Sequence, residues 1–263
     1  MSYLTDLNLQ NWKDQGFLKL SNIFNTDELD KINLWIEKIE VSKQDLDDGI
    51  LHYYEKTEYG PRITRSERFL NIDSELKEFL EFGKISKIIE ILIGEQVVLF
   101  KEKLNYKYPG GAGYIPHQDV AAYYATHDLH SKARLKITCL LSPFSTDEEN
   151  GCLYMSPGNH TKGLLKTNDR NCIDKSIADS LKWIAVPTNP GDILFFNSYT
   201  PHFSKKNNSN KNRKSLYLSY NALSAGRLRE DYYKKRDFDL GTQAKPDKKK
   251  ISTIDHFDGI KIN

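Results

Sequence analysis

Cysteine is scarce in this chain: Cys139, Cys152 and Cys172 are the only three among 263 residues. The number is odd and no two form a CxxC pair, which argues against a disulfide framework or a zinc ribbon and fits a reducing compartment. Charge of one sign is lacking too. With 38 Lys and Arg against 36 Asp and Glu, no global field draws the chain to nucleic acid or to an anionic membrane, so neither is an expected partner. No apolar run reaches the length of a membrane span, and the opening MSYLTDLNLQNWKDQ has neither a basic region nor the apolar region of a secretory leader. The expectation is therefore a cytoplasmic protein. Internal repeats are missing as well.

What is present is core material. Hydrophobic residues make up 38% of the chain, with 12 Phe and 15 Tyr, well above disordered composition. The length permits one large β-rich domain or two small ones, and one is expected. Asn25 and Glu28 bracket a capped start, after which Leu29, Ile32, Trp35 and Ile36 recur at helical spacing, so a helix is predicted over about 26–40. A second helical stripe runs through Leu76, Phe79, Leu80, Ile88, Ile89 and Leu92 to Gly94. Residues 41–72 between them read as polar and patternless.

From Val97 the pattern changes to short runs of Val, Ile, Leu, Phe and Tyr separated by Gly, Pro, Asn and Asp. Strands are predicted over 97–106, 135–141, 183–186, 192–197 and 215–221. The tail from Ala225, with KPDKKK near 245, is charged and expected to pack loosely. Helices followed by many strands predict an α+β protein, mainly β, with an antiparallel sandwich as its working part.

Within PGGAGYIPHQDVAAYY, His117 and Asp119 are separated by one residue, so on extended backbone both side chains point to one face. One imidazole and one carboxylate, completed by a distant second imidazole, make the facial triad that leaves three positions of Fe(II) open. Alone, HxD is a weak signal and reads more readily as a surface turn. Further along, NPGDILFFNSYTPHFS places His202 just past a buried-looking strand, and Arg213 follows eleven residues later at the start of RKSLYLSYN. An Arg offers a planar bidentate donor to the far carboxylate of a dicarboxylic keto acid. By itself His202 could be a core histidine, and Arg213 a solvated member of KKNNSNKNRK. Their joint order with the upstream HxD is the discriminating feature.

Taken with the run ENGCLYMSPGNH at 149–160 and the PGD turn at 190–192, these motifs resemble the phytanoyl-CoA dioxygenase-like superfamily of Fe(II)- and 2-oxoglutarate-dependent oxygenases. The resemblance spans roughly Phe17 to Asn221. It implies a double-stranded β-helix, the cupin-like jelly roll, with N-terminal helices packed on one sheet. The implied layout is a helical part at about 1–95, a jelly-roll core at about 96–225 and a charged extension over 226–263. It further implies Fe(II) on His117, Asp119 and His202, with 2-oxoglutarate and O2 as co-substrates. Arg213, Asn105, Thr138 and Ser204 would then contact 2-oxoglutarate. His160 is expected to be structural. Relatives that halogenate lack the carboxylate, so Asp119 points to hydroxylation.

On FKEKLNYKY, Lys101, Lys103, Asn105 and Lys107 share one face. Such a row is either a solvated edge that blocks aggregation or the lining of an anion pocket. The stretch from Val98 to Tyr124 resembles the alkylphosphonate-hydroxylating subgroup of the same superfamily, which places Lys103, Lys101 and Lys107 on a small-molecule substrate such as 2-aminoethylphosphonate. Tyr123, with Tyr124 and Asp128, could receive an ammonium head. Two other classes stay open: a non-catalytic jelly-roll binding module, and a metal-dependent isomerase or hydrolase that would not need Arg213. Oligomeric state is not legible.

Overall fold

The computed structural model describes residues 3–43, 49–121, 136–243, 251–252 and 256–262. Its strands are β1 (Phe17–Leu20), β2 (Leu51–Thr57), β3 (Gly60–Glu67), β4 (Val97–Lys107), β5 (Tyr114–His117), β6 (Lys136–Leu141), β7 (Leu153–Met155), β8 (Ile184–Val186), β9 (Ile193–Asn197), β10 (His202–Ser204), β11 (Arg213–Ala222) and β12 (Ile251–Ser252). The helices are α1 (Asp6–Gln15), α2 (Thr26–Val41), α3 (Ser74–Phe82), α4 (Lys84–Ile93), α5 (Lys175–Ser180) and α6 (Arg229–Gln243). Among the described residues these strands form an eight-stranded sheet in the order β1-β9-β6-β11-β4-β3-β2-β12 and a four-stranded sheet in the order β5-β10-β7-β8.

The large sheet is buried on both faces, and the sequence of its central strands shows why. In β6 the residues Ile137, Cys139 and Leu141 join the main apolar cluster with Ile32, Ile36, Leu76, Ile85 and Ile89 of the helices. The alternate residues Thr138 and Leu140 face the other way, and Leu140 packs with Leu153 and Met155 of the small sheet. In β11 the same alternation sends Leu216, Leu218 and Tyr220 toward the helices and Tyr217 toward the small sheet. The helices α2 to α4 therefore back the large sheet, and the space between the sheets holds the polar site.

Helix α2 starts where its sequence says it should: Asn25 Oδ1 accepts from the Glu28 backbone at 3.0 Å, and Glu28 returns the bond to Asn25 N at 2.9 Å, a reciprocal capping box. The stripe from Leu76 to Leu92 is two helices rather than one, broken at Gly83. A Cβ on that residue would lie 2.3 Å from the carbonyl oxygen of Phe79, so the close turn between α3 and α4 needs a glycine.

Two expectations fail. Residues 41–72 hold the hairpin β2–β3, hidden because Arg65 and Glu67 are buried at 4% and 0% exposure and so break the polar-out alternation that marks a strand. The KPDKKK run lies outside the described residues, and the described part of the tail is not loose. Arg229 of α6 pairs with the buried Glu102 at 2.5 Å, and Tyr233, His256 and Phe257 are all buried. After α6, β12 adds to β2 in parallel, and residues 256–262 lie over β5.

Candidate metal centre

Strands β5 and β10 pair so that His202 stands opposite His117, and Asp119 follows two residues after the end of β5. One ligand atom from each of the three lies within 4.8 Å of the others. Both imidazoles are oriented by their own backbone. Nδ1 of His117 bonds the carbonyl of Ile115 at 2.7 Å, and Nδ1 of His202 bonds that of Thr200 at 3.0 Å. In each case Nδ1 carries the proton and Nε2 is left with its lone pair for a metal. Burial, then the neighbouring His256 and His202 rings, hold the His117 ring well below the usual imidazole range; burial is the first cause of the same direction in His202. Neutral imidazole is the ligating form.

Burial alone would raise the Asp119 carboxyl, but Lys101, His202, Lys103 and His117 outweigh it and hold the group well below the carboxylate range. Oδ2 of Asp119 also accepts from Thr138 Oγ1 at 2.8 Å, and that hydroxyl lies 2.9 Å from Ser219 Oγ. Two neutral imidazoles and one fixed carboxylate on one side of a cavity are the donor chemistry of Fe(II) with an open face.

The cavity beside these donors is lined in part by Lys103, Asn105, Ser204 and Tyr217. Beyond it lies Arg213, the first residue of β11, 1% exposed. Nη1 donates to Gly151 O at 2.5 Å, a hydrogen bond joins the guanidinium to the Tyr217 hydroxyl, and Nε has no hydrogen-bond partner. Among the described residues no carboxylate lies within 4 Å of Arg213. Lys107 stands opposite it in register, with Nζ donating to Ser204 Oγ at 2.9 Å, to Gly151 O at 3.3 Å and to Lys205 O. Among the described residues a buried guanidinium and a buried amine, whose charge is disfavoured by burial and then by Arg213, meet here without an acid, an arrangement that the carboxylate of 2-oxoglutarate would complete.

Most of the residues expected in the site therefore meet around one cavity. Lys103 and Asn105 line it, and Lys101 and Lys107 of the same row are buried at 4% and 2% exposure, so the solvated-edge reading of the row is wrong. Lys107 sits with Arg213 and Ser204 rather than with Lys103. Thr138 is engaged by Asp119, not by the Arg213 end. Tyr123, Tyr124 and Asp128 lie outside the described residues. His160 bonds toward the backbone of Lys13, away from the three donors.

Sequence reasoning passed over Arg65, Tyr114, Tyr217, Ser219 and His256, all of which line the cavity. Tyr217 and Ser219 were legible, since they follow Arg213 at even spacing on one strand. The signal for Arg65 was erased by the polar hairpin. His256 stacks on His117 with centroids 3.9 Å apart and planes at 16°, a contact across 139 residues of chain that no local pattern records.

A jelly roll with this donor set and a cationic end beyond it defines a non-haem iron oxygenase that takes 2-oxoglutarate as co-substrate. Known proteins agree. The profile of the phytanoyl-CoA dioxygenase (PhyH) family matches residues 12–215, and the chain belongs to that family. It is 42% identical to a methylphosphonate hydroxylase of Gimesia maris over 97% of this chain and 96% of that protein. It is 35% identical to a 2-aminoethylphosphonate dioxygenase of Uncultured bacterium HF130_AEPn_1 over 89% and 88%. Among solved structures, EctD from S. alaskensis with 2-oxoglutarate and 5-hydroxyectoine shares the fold with a TM-score of 0.69, at 19% identity over 85% of this chain and 78% of that one.

Proposed function

We propose that this protein hydroxylates a small alkylphosphonate, such as 2-aminoethylphosphonate or methylphosphonate, at the carbon next to phosphorus. When bound, Fe(II) with 2-oxoglutarate and O2 supplies the oxidising chemistry that turns a C–H bond into C–OH. The residues supply placement. His117, Asp119 and His202 hold the metal on one face, and Thr138 keeps the Asp119 carboxylate turned toward it. Arg213, with Lys107 and Ser204 beside it, takes the far carboxylate of 2-oxoglutarate, and Asn105 lines the path between.

The observation that carries the substrate class is Lys103. Its side chain lines the cavity with the three metal donors, and among the described residues its ammonium has no hydrogen bond or ion pair. Burial, then repulsion from Lys101 and Arg65, hold it well below the usual lysine range, so an incoming anion is what restores its charge. The two relatives named for phosphonates favour that anion over a carboxylate. The near-neutral charge, and the lack of any helix long and apolar enough to cross a membrane among the described residues, support a free small molecule as the partner and the cytoplasm as the compartment.

The test is succinate and hydroxylated product measured together over a panel of phosphonates, betaines and amino acids. A phosphonate should couple the two. In Lys103→Met its Michaelis constant should rise about ten- to a hundredfold, the equivalent of roughly 1.5–3 kcal/mol for a charge-assisted hydrogen bond. Coupling to a betaine or an amino acid instead, or a Michaelis constant that ignores the substitution, would retire the phosphonate reading.

A further inference from the structure

Arg65 of β3 is buried, lines the cavity, and is held by protein on three sides. Nε donates to Asn105 Oδ1 at 3.3 Å, Nη1 to Glu67 Oε1 at 3.2 Å, and Nη2 to the Tyr114 hydroxyl at 3.2 Å. A guanidinium has five N–H donors, so two remain, one on each terminal nitrogen, and among the described residues neither has a partner. Tyr114 accepts from Arg65, which leaves its own O–H to donate, and Tyr114 lines the same cavity.

The carboxylate that fixes Arg65 is itself fixed from outside the barrel. Glu67 Oε2 lies 3.9 Å from Nε of Arg236, a residue of the C-terminal helix α6, whose Nε also donates to Tyr53 OH at 3.1 Å. The Glu67 carboxyl is raised by burial but held low by Arg236, Arg65, Lys103 and Lys101 together. Four basic side chains thus act on one buried acid, while Asp119, the carboxylate that lines the cavity among the described residues, lies with the two candidate metal-binding imidazoles.

We infer that Arg65 and Lys103, with the Tyr114 hydroxyl, form a subsite for a tetrahedral dianion, and that Arg236 is a positioning residue that sets Arg65 through Glu67. This rests on the phosphonate reading and deepens it. The free donors, two on Arg65, those of the Lys103 ammonium and one on Tyr114, suit three oxygens carrying two charges, and a planar carboxylate with one charge uses fewer of them. Arg65 anchors the anion by a fork of fixed geometry, while Lys103 adds a point charge nearer the metal ligands.

The experiment uses the full chain loaded with Fe(II) and 2-oxoglutarate under argon, and reads binding by calorimetry. The probes are methylphosphonate, inorganic phosphate, and methanesulfonate, which keeps the tetrahedral shape with a single charge. The parent should bind methylphosphonate at least about tenfold more tightly than methanesulfonate. Arg65→Gln should weaken methylphosphonate and phosphate by about ten- to a hundredfold while 2-oxoglutarate binding stays as in the parent, which also shows that the variant is folded. If Arg65→Gln does not fold, Arg65→Lys carries the same test, since it keeps the charge and loses the fork. Arg236→Met should raise the phosphonate KM with kcat little changed, and Arg236→Lys should recover most of it. Unchanged methylphosphonate affinity in both Arg65 variants overturns the subsite, and so does equal binding of sulfonate and phosphonate. A parent that binds phosphate through Arg65 yet oxidises no phosphonate overturns the hydroxylation reading and leaves the subsite standing.

Discussion

Among the described residues no carboxylate neutralises Arg213: it is buried, bonded to one carbonyl and one phenol, and adjacent to the equally buried Lys107. Such a residue destabilises the fold unless an anion joins it. Arg213→Met should therefore raise the 2-oxoglutarate requirement by roughly 30- to several thousandfold, corresponding to about 2–5 kcal/mol, and should leave metal binding near that of the parent. Titration of 2-oxoglutarate into both proteins checks this, and equal affinities would return Arg213 to a structural role. Residue by residue, the donors were legible because their chemistry is rare and their order fixed. HxD needs only alternation to put two ligands on one face. The hydroxyl of Thr138 was not, since a strand threonine has no sequence feature that tells which acceptor it will meet, and only the register of β6 against β11 sets it between Asp119 and Ser219.

At the scale of elements, strand β4 shows how one alternation can serve two purposes. Leu104 and Tyr106 join the apolar cluster under the helices, while Lys101, Lys103, Asn105 and Lys107 meet Ser219, Tyr217, Ser215 and Arg213 across β11. A lysine row on such a strand looks like an exposed edge until the sheet order puts β4 between β11 and β3. The helical elements were read well where a side chain marks the end, as at Asn25, and poorly where only backbone proximity does. Gly83 is that second case. Gly83→Ala would drive a methyl into the Phe79 carbonyl, and the resulting shift of α3 against α4 should cost about 1–3 kcal/mol. Thermal unfolding should fall by about 2–4 °C per kcal/mol lost, with the Michaelis constants unchanged because neither helix reaches the cavity. An unaltered midpoint would mean that the turn relaxes without cost.

For the whole molecule, the C-terminal segment is the part whose role composition misjudged. Its charges looked solvated, yet three of those described find buried partners: Arg229 on Glu102, Arg236 by Glu67, and Asp237 on Arg68 at 2.8 Å. Residues 256–262 then run beside β5 and β2. The backbone of Ile115 donates to His256 O at 2.8 Å, Asp258 donates to Gly113 O at 3.1 Å, and Lys56 donates to Ile260 O at 2.8 Å. With those bonds made, the His256 ring lies flat on the candidate ligand His117 and Phe257 meets Tyr114 edge-on at 5.4 Å. These aromatic rings cover one side of the candidate donors, and in the proposed reading they would limit water there and wall in a small substrate. A chain ending at Ser252 keeps all three donors, Arg213, Lys107 and α6, but loses this cover. It should retain Fe(II) and 2-oxoglutarate binding, while product formation falls by up to about a hundredfold as placement is lost. Succinate formed without hydroxylated product should rise as a share of the total. The ratio of product to succinate is the deciding measurement, because a merely destabilised protein loses both together, and a ratio equal to that of the full chain would reduce the strap to packing.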